Sequence, residues 1–118
     1  MYQNQRNAPR IPCDGDGYLV LGDERPATEV GNISKGGACL LVPFDTWVLM
    51  EELDVIDGGV TIDNSAFTFT GRICWSLVEN NRVRFGLEFI RSDRDIIEKV
   101  LENLSLMVEE PEDNSFNL

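Results

Sequence analysis

The chain has 118 residues, the size of one domain, and its 42% apolar and 26% charged content is ordinary for a globular protein. A net charge of −11 excludes duplex nucleic acid as a partner for the general surface, because neutralising phosphates needs a basic face. The absence of histidine removes the usual general base and the Ser–His and Cys–His nucleophile pairs, so no enzymatic activity is expected.

The cysteines Cys13, Cys39 and Cys74 are odd in number and widely spaced, which argues against a disulfide framework and a zinc site. The polar N-terminus lacks an apolar signal region, and the longest apolar run, Ala38–Val42, is far too short to span a bilayer. A cytoplasmic protein without membrane insertion is the expectation.

Charge is unevenly spread: residues 1–13 carry two arginines and no acid, 14–92 carry six bases against thirteen acids, and 93–118 two against eight. An anionic ligand must therefore be small and met locally, and the N-terminus is the place for it. Residues 1–13 read as an extended arm, since Pro9 and Pro12 push Ala8 and Ile11 out of the helical region. In an extended arm Arg6 and Arg10 fall on the same side. A solvated tail is the plainer reading.

Tyr18–Leu21, bounded by Gly17 and Gly22, predicts a first strand, and Ala27–Val30 a second. The turn Asn32-Ile33-Ser34-Lys35-Gly36-Gly37 leads into a third, Ala38–Val42, which Pro43 ends. This turn brings together an amide carbonyl, a hydroxyl and two glycines free to adopt φ > 0, an arrangement that presents backbone N–H groups to a ligand. By itself it reads as a polar β-turn. Trp47–Ile56 alternates in a way that favours a strand, with one helical turn at Met50–Leu53 as the alternative; Asp57-Gly58-Gly59 is a break, and Val60–Ile62 resumes strand character.

The strongest hairpin joins Phe67–Val78 to Val83–Ile90. A two-residue loop at Asn80-Asn81 pairs Trp75 with Gly86 and Leu77 with Arg84. A three-residue loop pairs Ile73 with Phe89, Trp75 with Leu87 and Leu77 with Phe85, gathering the large apolar groups on one face, and is the predicted register. Ser92–Glu110 is the one clear helix, with Ile96, Ile97, Val100, Leu101, Leu104, Met107 and Val108 on its apolar stripe, Ser92 as cap and Pro111 as stop. The acidic residues that follow are expected to be disordered.

Arginine forks bind phosphates or guanine edges, Asn32 supplies an acceptor for guanine N–H donors, and Ser34 with the N–H groups around Gly36-Gly37 donates to phosphate oxygens. Here the sequence resembles the PilZ domain family. Arg6-Asn7-Ala8-Pro9-Arg10 matches its R-x-x-x-R, and Asn32-Ile33-Ser34-Lys35-Gly36-Gly37 its [D/N]-x-S-x-x-G, in the right order. Gly71-Arg72-Ile73-Cys74-Trp75 and Arg84-Phe85-Gly86-Leu87-Glu88-Phe89 look like its last two strands.

The resemblance implies a mainly β fold, a six-stranded antiparallel β-barrel with a C-terminal α-helix. It divides the chain into an arm at 1–13 carrying R-x-x-x-R, a barrel plus helix at 14–110 and an acidic tail at 111–118. It implies a bacterial second-messenger receptor that binds cyclic di-GMP, needs no cofactor or metal, and signals through an unidentified effector protein. The implied ligand-binding residues are Arg6, Arg10, Asn32, Ser34, Gly36 and Gly37, with Gln5 and Trp75 as further candidates. Gln5 stands where many relatives carry an arginine, which leaves one or two bound ligands open. Asn32 stands where aspartate is commoner, a weaker uncharged acceptor. Trp75 resembles an aromatic near the ligand in some members, whereas the predicted register puts it on the apolar face; both readings stand. The rival is an adaptor of the same fold without nucleotide binding. A barrel for single-stranded nucleic acid would need aromatics in a basic groove, against a charge of −11.

Overall fold

In the computed structural model the described residues are 10–113, with side chains through Leu106. Six strands and two helices follow one another as β1 (Ile11–Val20), β2 (Ala27–Ser34), β3 (Gly37–Pro43), α1 (Phe44–Met50), β4 (Val55–Ile62), β5 (Ser65–Glu79), β6 (Arg82–Ser92) and α2 (Arg94–Asp113). The strands close into an antiparallel barrel in the order β1-β2-β3-β6-β5-β4, as the family resemblance implies.

The first strand is longer than the pattern Tyr18–Leu21 predicts, beginning at Ile11. Its glycines are not its boundaries. Gly17 faces β4 where a Cβ would collide with the Gly59 carbonyl, so the sheet itself demands glycine there. Nor is Gly58-Gly59 a break. Both lie within β4, where a Cβ on Gly59 would come within 2.7 Å of the Tyr18 hydroxyl and one on Gly58 within 2.8 Å of the Phe69 ring. Bulky neighbours fill the space that these glycines leave.

The interior is filled by Leu19, Ile33, Leu40, Ile62, Val83 and Phe85, all essentially inaccessible to solvent. Burial of side chains this size contributes about 1.5–3 kcal/mol each before the entropy of ordering is set against it. α1 closes the end of the barrel at which β3 finishes. Its Trp47 packs on Phe85 with centroids 5.4 Å apart, and Met50, one turn on, is fully buried. This helix replaces the strand expected from Trp47 onward. The i, i+3 spacing of Trp47 and Met50 is what the core selects, while Val48 and Leu49 between them stay exposed.

α2 covers β1 and β5 with Ile97, Val100 and Leu104. Ser92 is the last residue of β6 rather than a cap. Asp93 precedes the helix, and its carboxylate accepts the Thr68 N–H at 3.1 Å, tying the helix start to β5. The helix continues past Pro111 to Asp113, since a proline in the last turn withholds only one donor from the backbone ladder.

The β5–β6 register differs from the predicted one. The loop is the two-residue Asn80-Asn81, with Asn80 at φ 57°, and it pairs Leu77 with Arg84 and Trp75 with Gly86. A bulge between Ile73 and Trp75 resolves the conflict that argued against this loop. Below the bulge Ile73 pairs with Leu87 inside the barrel; above it Trp75 sits with Gly86 on the outer surface. One inserted residue, Cys74, exchanges the faces.

Candidate functional site

A second bulge performs the same service for the Asn32 motif. Val30 pairs with Leu40 inside the barrel and Ile33 with Ala38 inside, although Ile33 stands three positions after Val30. Regular alternation cannot place both inward. Gly31 takes up the extra residue, and Asn32 is left opposite Cys39 on the outer side. Pro12, Asn32, Cys39, Gly86 and Trp75 then form one continuous row of cross-strand partners. The two bulges turn both ends of that row outward.

Within it Gly86 is the floor. A Cβ there would collide with Nε1 of the Trp75 indole, which lies flat against the strand. Cys39 is buried beneath the guanidinium of Arg84, which in turn donates to Glu79 at 3.1 Å. Burial pushes the Cys39 thiol above its ordinary range, and the charges of Arg84 and Arg10 pull the other way. Arg10 acts in the same sense on Cys74. Arg10, the first described residue, is thus near enough to Cys39 and Cys74 for its charge to act on both. Arg84 carries a raised pKa because Glu79 accepts its hydrogen bond, so its charge is already engaged.

The Asn32 side chain is half-buried, and its Oδ1 is shielded from solvent with no hydrogen-bond partner. It is the one such atom among the described residues. An orphaned buried carbonyl costs about 1–3 kcal/mol. Ser34 is buried too, and its hydroxyl donates to the Gly37 carbonyl over a long 3.4 Å, leaving most of its capacity unused.

The turn is tighter than six residues. Ser34 pairs with Gly37 across Lys35-Gly36, and the Gly36 carbonyl accepts the Phe89 N–H at 2.7 Å. Neither Gly36 nor Gly37 takes a left-handed φ, contrary to the conformational reason expected for them. Gly37 is required by space instead, because a Cβ would collide with the Leu87 carbonyl of β6. Gly36 is open: nothing stands within 4 Å of where its Cβ would be.

The structure thus brings Arg10, Asn32, Ser34, Gly36, Gly37 and Trp75 to one side of the barrel. Arg6 and Gln5 lie outside the described residues, as does most of the arm. Cys39, Arg84 and Gly86 are not singled out in the sequence as parts of this surface. The available signal was the spacing of Val30 and Ile33, which demands a bulge and so turns Asn32 outward. Among the described residues no cluster of side chains could hold a metal ion, and no helix is long and apolar enough to cross a membrane.

A closed six-stranded barrel with a motif-bearing β2–β3 turn and a C-terminal helix defines the class. The sequence matches the PilZ domain family over residues 4–106, and the chain belongs to that family. Solved structures agree in fold. The Bacillus subtilis inhibitor of motility MotI/DgrA superposes with TM-score 0.64 at 12% identity, over 93% of this chain and 53% of that one. PlzA of Borreliella burgdorferi, in complex with c-di-GMP, gives 0.56 at 13% identity over 85% of this chain and 46% of its own. The PilZ domain with c-di-GMP of YcgR from Escherichia coli gives 0.57 at 12% identity, over 97% and 99%. The chain therefore spans about half of the first two proteins. No curated protein matches it in sequence.

Proposed function

We propose that this chain is a cyclic di-GMP receptor that acts by binding and signals through a protein partner. The observation that carries this reading is the unpaired, buried Oδ1 of Asn32, the first residue of the family motif. A free-state cost of that kind is recovered when a ligand brings N–H donors, and the guanine Watson–Crick edge brings them in pairs. Ser34 and the open backbone at Gly36-Gly37 complete the fixed half of the site. Arg6 and Arg10 close over the ligand as charge-assisted donors to phosphate and guanine. The Trp75 indole, on the same outer face, forms a flank.

Family membership and the c-di-GMP complexes of PlzA and the YcgR domain support this ligand. Binding brings Arg6 and Arg10 onto the fixed half of the site and so makes a new surface for a cytoplasmic partner to read. Gln5, where an arginine would add another phosphate contact, bears on whether one or two dinucleotides bind.

One observation favours the rival reading, an adaptor of this fold with weak or no nucleotide binding. Gly37 has a purely steric reason to be glycine, so part of the motif would persist without a ligand.

Calorimetric titration with cyclic di-GMP separates the two. The wild type should bind, with its stoichiometry read directly. Arg6→Ala/Arg10→Ala should lose on the order of a hundredfold or more, given about 1.5–3 kcal/mol for each charge-assisted contact. No heat from the wild type at high micromolar ligand refutes the receptor reading. Unchanged binding by the double variant refutes the arm's part in it.

A further inference from the structure

The barrel is closed, yet among the described residues one stretch of it has a free edge. β5 is 15 residues long against eight in β4. Their ladder ends at Val55 and Arg72, followed by one further bond in which the Ile73 N–H donates to the Asp54 carbonyl at 2.9 Å. Cys74 is the unpaired bulge residue, and from Trp75 to Glu79 β5 pairs, among the described residues, with β6 alone. In a two-residue hairpin the closing pair, Glu79 and Arg82, exchanges both bonds, so Leu77 and Glu79 address β6 while the N–H and C=O groups of Ser76 and Val78 point away from it.

The side chains along this edge are also uncovered. Leu77 and Val78, on opposite faces, are 52% and 56% exposed. Natural edges are protected by lysine, proline or inward charge, and residues 75–78 carry none of these.

Charge selects the occupant. The connector that delivers Asp54 to the edge also carries Glu51 and Glu52, all three exposed and, among the described residues, without an ion pair. The arginines at the hairpin are already engaged, Arg82 with Glu29 at 2.7 Å and Arg84 with Glu79 at 3.1 Å. A second copy of this chain, itself at −11, would set acid against acid.

We propose that the Cys74–Glu79 edge docks an extended, basic segment of a partner protein by strand addition. Main-chain bonds to Ser76 and Val78 supply affinity, alternate apolar side chains cover Leu77 or Val78, and lysines or arginines face Glu51, Glu52 and Asp54. This surface is independent of the nucleotide reading. Trp75, the proposed flank of the nucleotide site, lies within the same edge, so the two surfaces adjoin on one strand.

The probe is a synthetic nonapeptide alternating valine and lysine. Its control is the same peptide N-methylated at alternate backbone amides, which keeps the charge and removes the ladder donors. Amide exchange at Ser76 and Val78 should be fast in the free protein and slow at least tenfold on adding the peptide. The N-methylated peptide should bind at least tenfold more weakly, as should the unmodified peptide to Val78→Lys, a substitution at an exposed position. Equal affinity for the two peptides would reduce the interaction to bulk charge and overturn the proposal. So would an equally tight peptide with glutamate in place of lysine, or exchange at Ser76 and Val78 that is already slow in the free protein and slows further with its concentration, the mark of a second copy on the edge.

Discussion

Replacing Asn32 by alanine should separate binding from stability in opposite directions. In the free protein the substitution removes a buried acceptor that has no partner. A group of that kind costs about 1–3 kcal/mol, and the half-buried position returns only part of it, because the rest of the amide already meets solvent. A gain of about 1 kcal/mol is therefore expected after the small loss of side-chain packing, and for a domain of this size that is a rise of about 4 °C in Tm. Cyclic di-GMP affinity should fall by about 10–100-fold, the equivalent of one or two hydrogen bonds in a desolvated site. Differential scanning calorimetry without ligand and titration calorimetry with it read the two quantities independently. Asn32→Asp supplies the reverse case: a buried carboxylate costs the free protein stability, and a charged acceptor strengthens binding. An Asn32→Ala variant that is destabilised by more than about 1 kcal/mol and binds as the wild type does would refute the reasoning, since it would show a carbonyl engaged within the fold and not held for a ligand.

Three further outcomes follow from the same geometry. Gly37→Ala should destabilise by about 2–3 kcal/mol, because backbone of β6 blocks the new methyl, whereas Gly36→Ala, into open space, should stay within about 0.5 kcal/mol; the two midpoints in urea make the comparison. In a Trp47→Phe background, Gly86→Ala should displace the Trp75 indole and shift its emission to the red; unchanged emission would mean that Trp75 does not lie on Gly86. Near pH 8 Cys74, which is exposed, should be the first thiol alkylated, while Cys13 stays protonated because burial and Asp14 push its pKa up to about 11. With the folded pKa above the ordinary 9.0, the unfolded chain ionises first as pH rises, so Cys13 costs stability between about pH 9 and 11, a loss that Cys13→Ala should abolish in melts across that window.

Composition and local pattern determined a good deal. The alternation of short apolar runs with turn residues specified an all-β domain, and the stripe Ile97, Val100, Leu104 specified the helix that covers it. The two motifs in their order indicated the family, because motif residues are local and their spacing survives in the chain. Placement within the barrel was a different matter. β-bulges at Gly31 and Cys74 shift the face of everything beyond them, and a bulge depends on the register of a neighbouring strand, which no single segment encodes. The sequence rule that gathers apolar side chains on one face therefore put Trp75 inside, and the barrel put it outside.

Glycine misled for a related reason. Gly17, Gly58 and Gly59 read as breaks, and Gly36-Gly37 as positions chosen for positive φ. In most of these places the cause is the approach of another strand or an aromatic ring from far along the chain. The short helix at Phe44–Met50 likewise exists because Trp47 and Met50 find the open end of a barrel to fill. What the sequence determined by itself was the kind of fold and the chemistry of its motif. Which side of the wall Asn32 and Trp75 occupy, and which strand keeps a free edge, were decided by tertiary structure, because both depend on strand pairings made across long sequence separations.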